Sequence, residues 1–263
     1  MGYVLKAFLE GFRHWERPAQ LAFVLAVVLL IPAIILTANT PLEGRGLAIG
    51  GVMALIITAQ GIFMWANRSM VTPFTRAQRL YLKGDFEAAR AILEDLRSQN
   101  EADANALTLL GNTYRQLGQL SESAAVLYEA VDKHPDLYFP IYGFGRTLLS
   151  DGEYARAIEM IARALELGAP PVVRFDLGEA YYRSGEAQAA LDALQTVLPL
   201  LREDPPRRLM ATFLLHQLGA VSAPTAALVR EGLPYWEANA LRFQQSLYGR
   251  ALAEDVDILK TLM

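Results

Sequence analysis

The side chains of this 263-residue chain best suited to proton transfer or metal ligation at neutral pH are three histidines, His14, His134 and His216, and they are scattered. No His-x-x-x-His or His-Glu-x-x-His pair places two ligands on one helical face, so the pattern of a zinc site or a metal-assisted hydrolase is missing. Cysteine is absent, which removes disulfides, thiol nucleophiles and thiolate ligands together. Gly143-Phe144-Gly145 starts like a dinucleotide-binding loop, but Leu148 stands where that loop needs its third glycine. Neither Gly-Lys-Ser/Thr nor Gly-x-Ser-x-Gly occurs. Acidic residues such as Glu87, Glu94 and Asp95 fall on polar helix faces and read as solvated. A formal charge of −4 implies no nucleic-acid partner. No catalytic residue, metal or cofactor is expected, and the chain reads as a non-enzyme.

What the chain offers instead is shape. Apolar residues make up 53% of it, with the excess at the N-terminus. Ala19 to Ala38 is 20 residues without a charge, and Leu47 to Ala66 is a second such run. Each is long enough to cross a hydrocarbon core of ~30 Å. A cleaved signal peptide is the rival for the first, but its apolar stretch exceeds a usual signal core and another comes at once. With NTPLEGRG between them, the two runs read as a transmembrane helical hairpin. Gly46, Gly50 and Ala54 recur every four residues, as do Ala22 and Ala26, and these faces are expected to meet inside the hairpin. The alternative is that they bind another membrane subunit. Gln60, the one strongly polar residue of the second run, is expected to reach the headgroups; Thr37, backbone of the first helix or a neighbouring protein are its other partners.

Charge sets the orientation. Lys6, Arg13 and Arg17 precede the hairpin and Arg68, Arg76, Arg79 and Lys83 come after it, whereas the connecting loop has only Arg45, offset by Glu43. The positive-inside bias puts both flanks in the cytoplasm of a bacterial-type inner membrane. Residues 1–18 place Val4, Phe8, Phe12 and Trp15 on one side of an amphipathic helix, which either lies in the interface or leads into the bilayer. A short connection, 67–75, should hold the C-terminal part of the chain close to the membrane.

From Leu107 to Pro135 the chain reads LTLLGNTYRQLGQLSESAAVLYEAVDKHP. Gly111 leaves room for a second antiparallel helix, Leu110 and Tyr114 fill around the crossing, Gly118 ends the first helix and Pro135 stops the second. Gly145 lies 34 residues beyond Gly111 and Gly178 lies 33 beyond Gly145, each inside the same apolar pattern. Degenerate copies flank them, with Gly84, Ala89 and Leu93 before and Leu215, Gly219 and Leu228 after. This resembles the tetratricopeptide repeat family. The fold expected is therefore all-α: a two-span hairpin over 19–66, then a solenoid of helix pairs over 76–240 with three clear repeats at about 105–204. A C-terminal helix, 241–263, is expected to cap the open end.

The resemblance implies that first helices line a concave groove. Carried over by the phase of Gly111, its lining is Asn105, Thr108, Asn112, Arg115 and Gln116, then Phe139, Tyr142 and Arg146, then Phe175, Glu179, Tyr182 and Arg183. Gln78, Tyr81, Phe213 and His216 would come from the flanking copies. Amides, arginines and tyrosines suit an extended peptide or a helix, although Phe139 and Phe175 also fit as packing between repeats. Thr108 stands where relatives that clamp an acidic C-terminus use Lys, which speaks against that mode. The function expected is a membrane-anchored scaffold or adaptor that binds a partner protein or peptide in the groove. The alternative is a constitutive structural subunit of a larger membrane complex, held mainly through its hairpin against a transmembrane partner.

Overall fold

The computed structural model describes residues 12, 17–41, 43–67 and 72–263. The amphipathic segment expected over 1–18 lies almost wholly outside these, as does part of the connection at 67–75. The described regular structure is helical, in two compact units, Met1–Thr72 and Pro73–Met263.

The first unit contains α1 (Arg17–Asn39) and α2 (Arg45–Asn67). Their most apolar windows have mean hydropathy 2.9 and 2.0. Both helices are long enough to span a bilayer, and they pack on each other as a hairpin. Ala19 and Ala26 are buried and Ala22 half-buried, so the small face of α1 does lie inside the hairpin. The α2 face that meets it is formed by Ala48, Val52, Leu55, Ala59 and Ile62, its half-buried positions. The expected glycine contact is not formed among the described residues. A Cβ added to Gly46 or Gly50 would meet nothing within 4 Å, because both lie about half a turn away from that inner face.

The second unit is five helix pairs and a final helix. They are α3 (Pro73–Leu82) with α4 (Phe86–Ser98), α5 (Ala104–Gln116) with α6 (Leu120–Lys133), α7 (Tyr138–Asp151) with α8 (Tyr154–Glu166), α9 (Arg174–Ser184) with α10 (Ala187–Val197), α11 (Pro205–Gln217) with α12 (Ala226–Arg242), and lastly α13 (Leu247–Lys260). Side-chain caps start several of them: Asp103 accepts from the Ala106 amide and Ser246 from the Gly249 amide. Left-handed glycines end others, as Gly152 does at φ 96° after α7.

The period comes from close helix approach. A Cβ at Gly111 would lie 2.3 Å from Cγ of Leu127, one at Gly145 2.7 Å from Cγ1 of Ile161, and one at Gly178 2.7 Å from Cγ of Leu194. Each repeat glycine thus receives a branched side chain from the second helix of its own pair. Leu127, Ile161 and Leu194 are fully buried there, each contributing about 2 kcal/mol of hydrophobic stabilisation.

Candidate functional site

The first helices do form one lined face, but the chain's own C-terminus occupies much of it. Rather than closing the end of the stack, α13 packs on α7 and reaches α9. A Cβ at Gly152, beyond the end of α7, would touch Cβ of Leu247 at 2.7 Å, and one at Gly118 would lie 3.0 Å from the carbonyl oxygen of Arg242. Leu252 and Leu259 of α13 are fully buried, and Trp236 and Tyr248 nearly so. The expected capping helix is in fact a lining helix, because its Tyr248 and Asp255 find their polar partners in Glu179 and Arg183 of α9 while Leu252 and Leu259 are buried beside them.

This placement explains where the expected groove residues go. Phe175 is 1% exposed and lies against Trp236 of α12, ring centroids 6.1 Å apart. Glu179, also 1% exposed, accepts from the Tyr248 hydroxyl at 3.0 Å. Arg183 pairs with Asp255 of α13 and, at 3.5 Å, with Glu179. Its guanidinium stands 5.8 Å from the Tyr182 ring and 5.6 Å from that of Tyr248. Arg146 pairs with Asp176 at 3.1 Å, and the Tyr142 hydroxyl donates to the same carboxylate at 2.6 Å. These side chains are paired within the chain, save the Arg183 Nε, which is buried without a hydrogen-bond partner among the described residues, and the contacts of Phe175, Glu179 and Arg183 are with α12 and α13, not an open groove.

Arg115 is buried as well. It donates to the Gly143 carbonyl at 3.2 Å and to the Thr147 hydroxyl at 3.3 Å. Thr108 is buried with its hydroxyl turned back to the Ala104 carbonyl at 2.6 Å. Phe139 and Gln116 are half-buried, and Asn105 is exposed. Asn112 is half-buried, and its Oδ1 is enclosed without a hydrogen-bond partner among the described residues. Of the flanking residues, Phe213 is fully buried, His216 contacts the Val221 carbonyl at 3.1 Å, Tyr81 is half-buried and Gln78 exposed. The part of the concave face that stays open is therefore its N-terminal end, Gln78, Tyr81 and Asn105 on α3 and α5, with the half-buried Asn112 at its inner edge.

Burial sets the protonation of the filled part. It raises the Glu179 carboxyl to about 6 against the opposing pull of Arg183, and it also raises Asp255. Burial together with Arg146 lowers Arg115 to about 10, which leaves it cationic at pH 7. Between Arg115, Arg146, Asp176, Glu179, Tyr235 and Tyr248 lies a cavity of about 20 Å³, the size of a single water.

Sequence reasoning missed Asp176, which is 2% exposed and holds both Tyr142 and Arg146. The signal was a carboxylate set between two large apolar residues, Phe175 and Leu177, on a helix that packs on both sides, a setting that requires buried partners.

Residues 74–137 and 142–207 match a sequence model described as tetratricopeptide repeat. Among solved structures, TTC0263, a thermophilic TPR protein in Thermus thermophilus, superimposes with a TM-score of 0.51 at 18% identity, covering 70% of this chain and 97% of that one. MamA 41-end from Desulfovibrio magneticus RS-1 gives 0.49 at 17% identity over 72% and 92% of the two chains. A crystal structure of MamA gives 0.47 at 18% identity over 64% and 95%. The first of these likenesses bears on the fold alone. A search of curated proteins returned no match.

Proposed function

This chain belongs to the tetratricopeptide repeat family, a fold of protein-interaction modules, and on that premise we propose that it is a membrane-anchored scaffold holding a partner protein on its repeats. The anchor is α1–α2, placed in a bacterial-type inner membrane with the repeats on the cytoplasmic side. What supports the anchor is exposure: of the most apolar windows of the two helices, 6% and 0% are buried, whereas the core helix of a soluble protein would be mostly covered. Leu21 is 72% and Ile57 64% exposed, a surface suited to lipid.

The observation that carries the binding reading is the unequal filling of the concave face. Tyr142, Arg146, Phe175, Glu179, Tyr182 and Arg183 are committed to contacts within the chain, so the partner meets Gln78, Tyr81, Asn105 and Asn112, with Gln116 at the edge. Photo-crosslinking side chains placed singly at Gln78, Asn105, Glu122 and Gln188 of the full chain, in native membranes, test this. The same partner should be captured from Gln78 and Asn105 and not from Glu122 or Gln188, which are exposed on second helices. Equal capture from all four positions would refute it.

A second reading, a constitutive subunit of a membrane complex held mainly through its hairpin, is favoured by the outward position of Gln60. Exchanging the hairpin for an unrelated two-span anchor separates them: loss of complex incorporation favours the subunit, retention the adaptor.

A further inference from the structure

Arg115 is 5% exposed, yet it makes no ion pair among the described residues. Its Nη1 donates to the Gly143 carbonyl at 3.2 Å and to the Thr147 hydroxyl at 3.3 Å, and both acceptors are uncharged. Its Nε and Nη2 make no hydrogen bond among the described residues. The charge that acts on it most strongly is that of Arg146, which has the same sign.

Arg115 lines the cavity of about 20 Å³ where α5, α7, α9, α11 and α12 come together. Arg146 and Arg207 line it too, as do the carboxylates of Asp176 and Glu179. Those four groups have partners. Arg146 pairs with Asp176 at 3.1 Å and Arg207 with Asp204 at 3.1 Å, while Glu179 pairs with Arg183 and accepts from Tyr248. The charge left unmatched in the wall is that of Arg115.

A buried guanidinium without a counterion is costly, because burial removes the water that stabilised it and nothing of opposite charge takes its place. A water molecule can accept from Nε or Nη2, but it leaves the charge uncompensated. An anion both accepts and compensates. Size narrows the choice, since the space holds one particle of about the volume of a water. A halide ion meets that limit; phosphate and sulfate exceed it.

We infer that this cavity binds a single halide ion, chloride or bromide, with Arg115 as its counter-charge and Arg146 and Arg207 as the further cations of the wall. The ion joins Arg115 of α5 and Arg146 of α7 to Arg207, Tyr235 and Trp236, the side of the cavity made by α11 and α12. Halide binding therefore strengthens the seating of the C-terminal helices on the first helices. The site is independent of the membrane anchor and of any partner protein.

The full chain, purified in detergent, is melted at pH 7 and constant ionic strength while gluconate is replaced by chloride or bromide. The melting temperature should rise by several degrees and level off, as binding to one site of the folded state requires. Arg115→Met keeps the length of the side chain without its charge and should shrink the rise several-fold. A second measurement needs no variant: the unaltered chain should broaden the chlorine-35 resonance, and bromide but not sulfate should reverse the broadening. Equal melting in gluconate and chloride, an undiminished rise in Arg115→Met, or no broadening would make the occupant a water and overturn the inference. Reversal by sulfate as complete as by bromide would put the ion on the open surface and overturn it as well.

Discussion

Glycine does opposite work in the two units. In the solenoid, Gly111, Gly145 and Gly178 each have a branched side chain pressed onto the position a Cβ would take, whereas Gly46, Gly50 and Gly61 of α2 face open space. Polar groups differ in the same sense. Those of the repeats are joined across helices, as Arg183 is to Asp255 and Tyr142 to Asp176, while Gln60 is joined to nothing among the described residues. The solenoid has closed its interior around such groups; the hairpin turns them outward. A small residue in a helical stripe records that something can come close, not which neighbour does.

The largest test of this contrast is Gly111→Val. With Leu127 Cγ 2.3 Å from the first added carbon, overpacking should cost more than about 3 kcal/mol and stop the repeats from folding cooperatively, as read by circular-dichroism melting. Asp255→Ala comes next. It leaves Arg183 buried with Glu179 alone and should cost about 3 kcal/mol in denaturant unfolding, with Asp255→Asn milder.

Titration gives a smaller effect with a definite sign. Burial lifts the folded-state value of Glu179 from 4.5 to about 6, so the folded chain binds that proton more tightly than the unfolded one. The penalty of its charge is fully present above pH 6 and is relieved as pH falls from 6 towards 4.5. From Glu179 alone, stability should rise over that window by on the order of 2 kcal/mol. Asp255, also raised by burial, acts in the same direction. Glu129, where burial is outweighed by Lys133 and Arg97 and the carboxyl is lowered, opposes it at more acidic pH. Thermal melts at pH 7 and pH 5 should differ in this sense, and Glu179→Gln should flatten the difference. The smallest effect belongs to the hairpin. Gly50→Ala meets open space and should shift the melting of the isolated chain by less than about 0.5 kcal/mol. A large loss there would erase the contrast.

The repeat architecture is legible in the sequence because close approach at Gly111, Gly145 and Gly178 leaves a period that composition alone does not produce. The hairpin is legible from two uncharged runs. The inner face of α2 is not, since Ala48 and Ala59 are as small as Ala54 and the sequence carries both stripes. The closing of the groove is hidden for a similar reason. Tyr248, Leu252, Val256 and Leu259 make one apolar stripe, and that stripe suits the end of a stack as well as its inner face. Only the polar groups on the same helix, Asp255 beside Arg183 above all, distinguish the two, and they become informative once the partners are placed. Asn105 and Glu179 carry the same expectation of facing the groove, yet Asn105 is exposed on the open part and Glu179 is enclosed.

The central claim is that α13 is a permanent lining of the concave face, which confines a partner to the N-terminal end. Hydrogen exchange on the full chain in a membrane mimetic tests it most directly. The account predicts that amides of 247–260 are protected as strongly as those of α7 and α9 and are released with them in one cooperative opening. Exchange in α13 many-fold faster than in α7 and α9, as from a flap that lifts away, would contradict it.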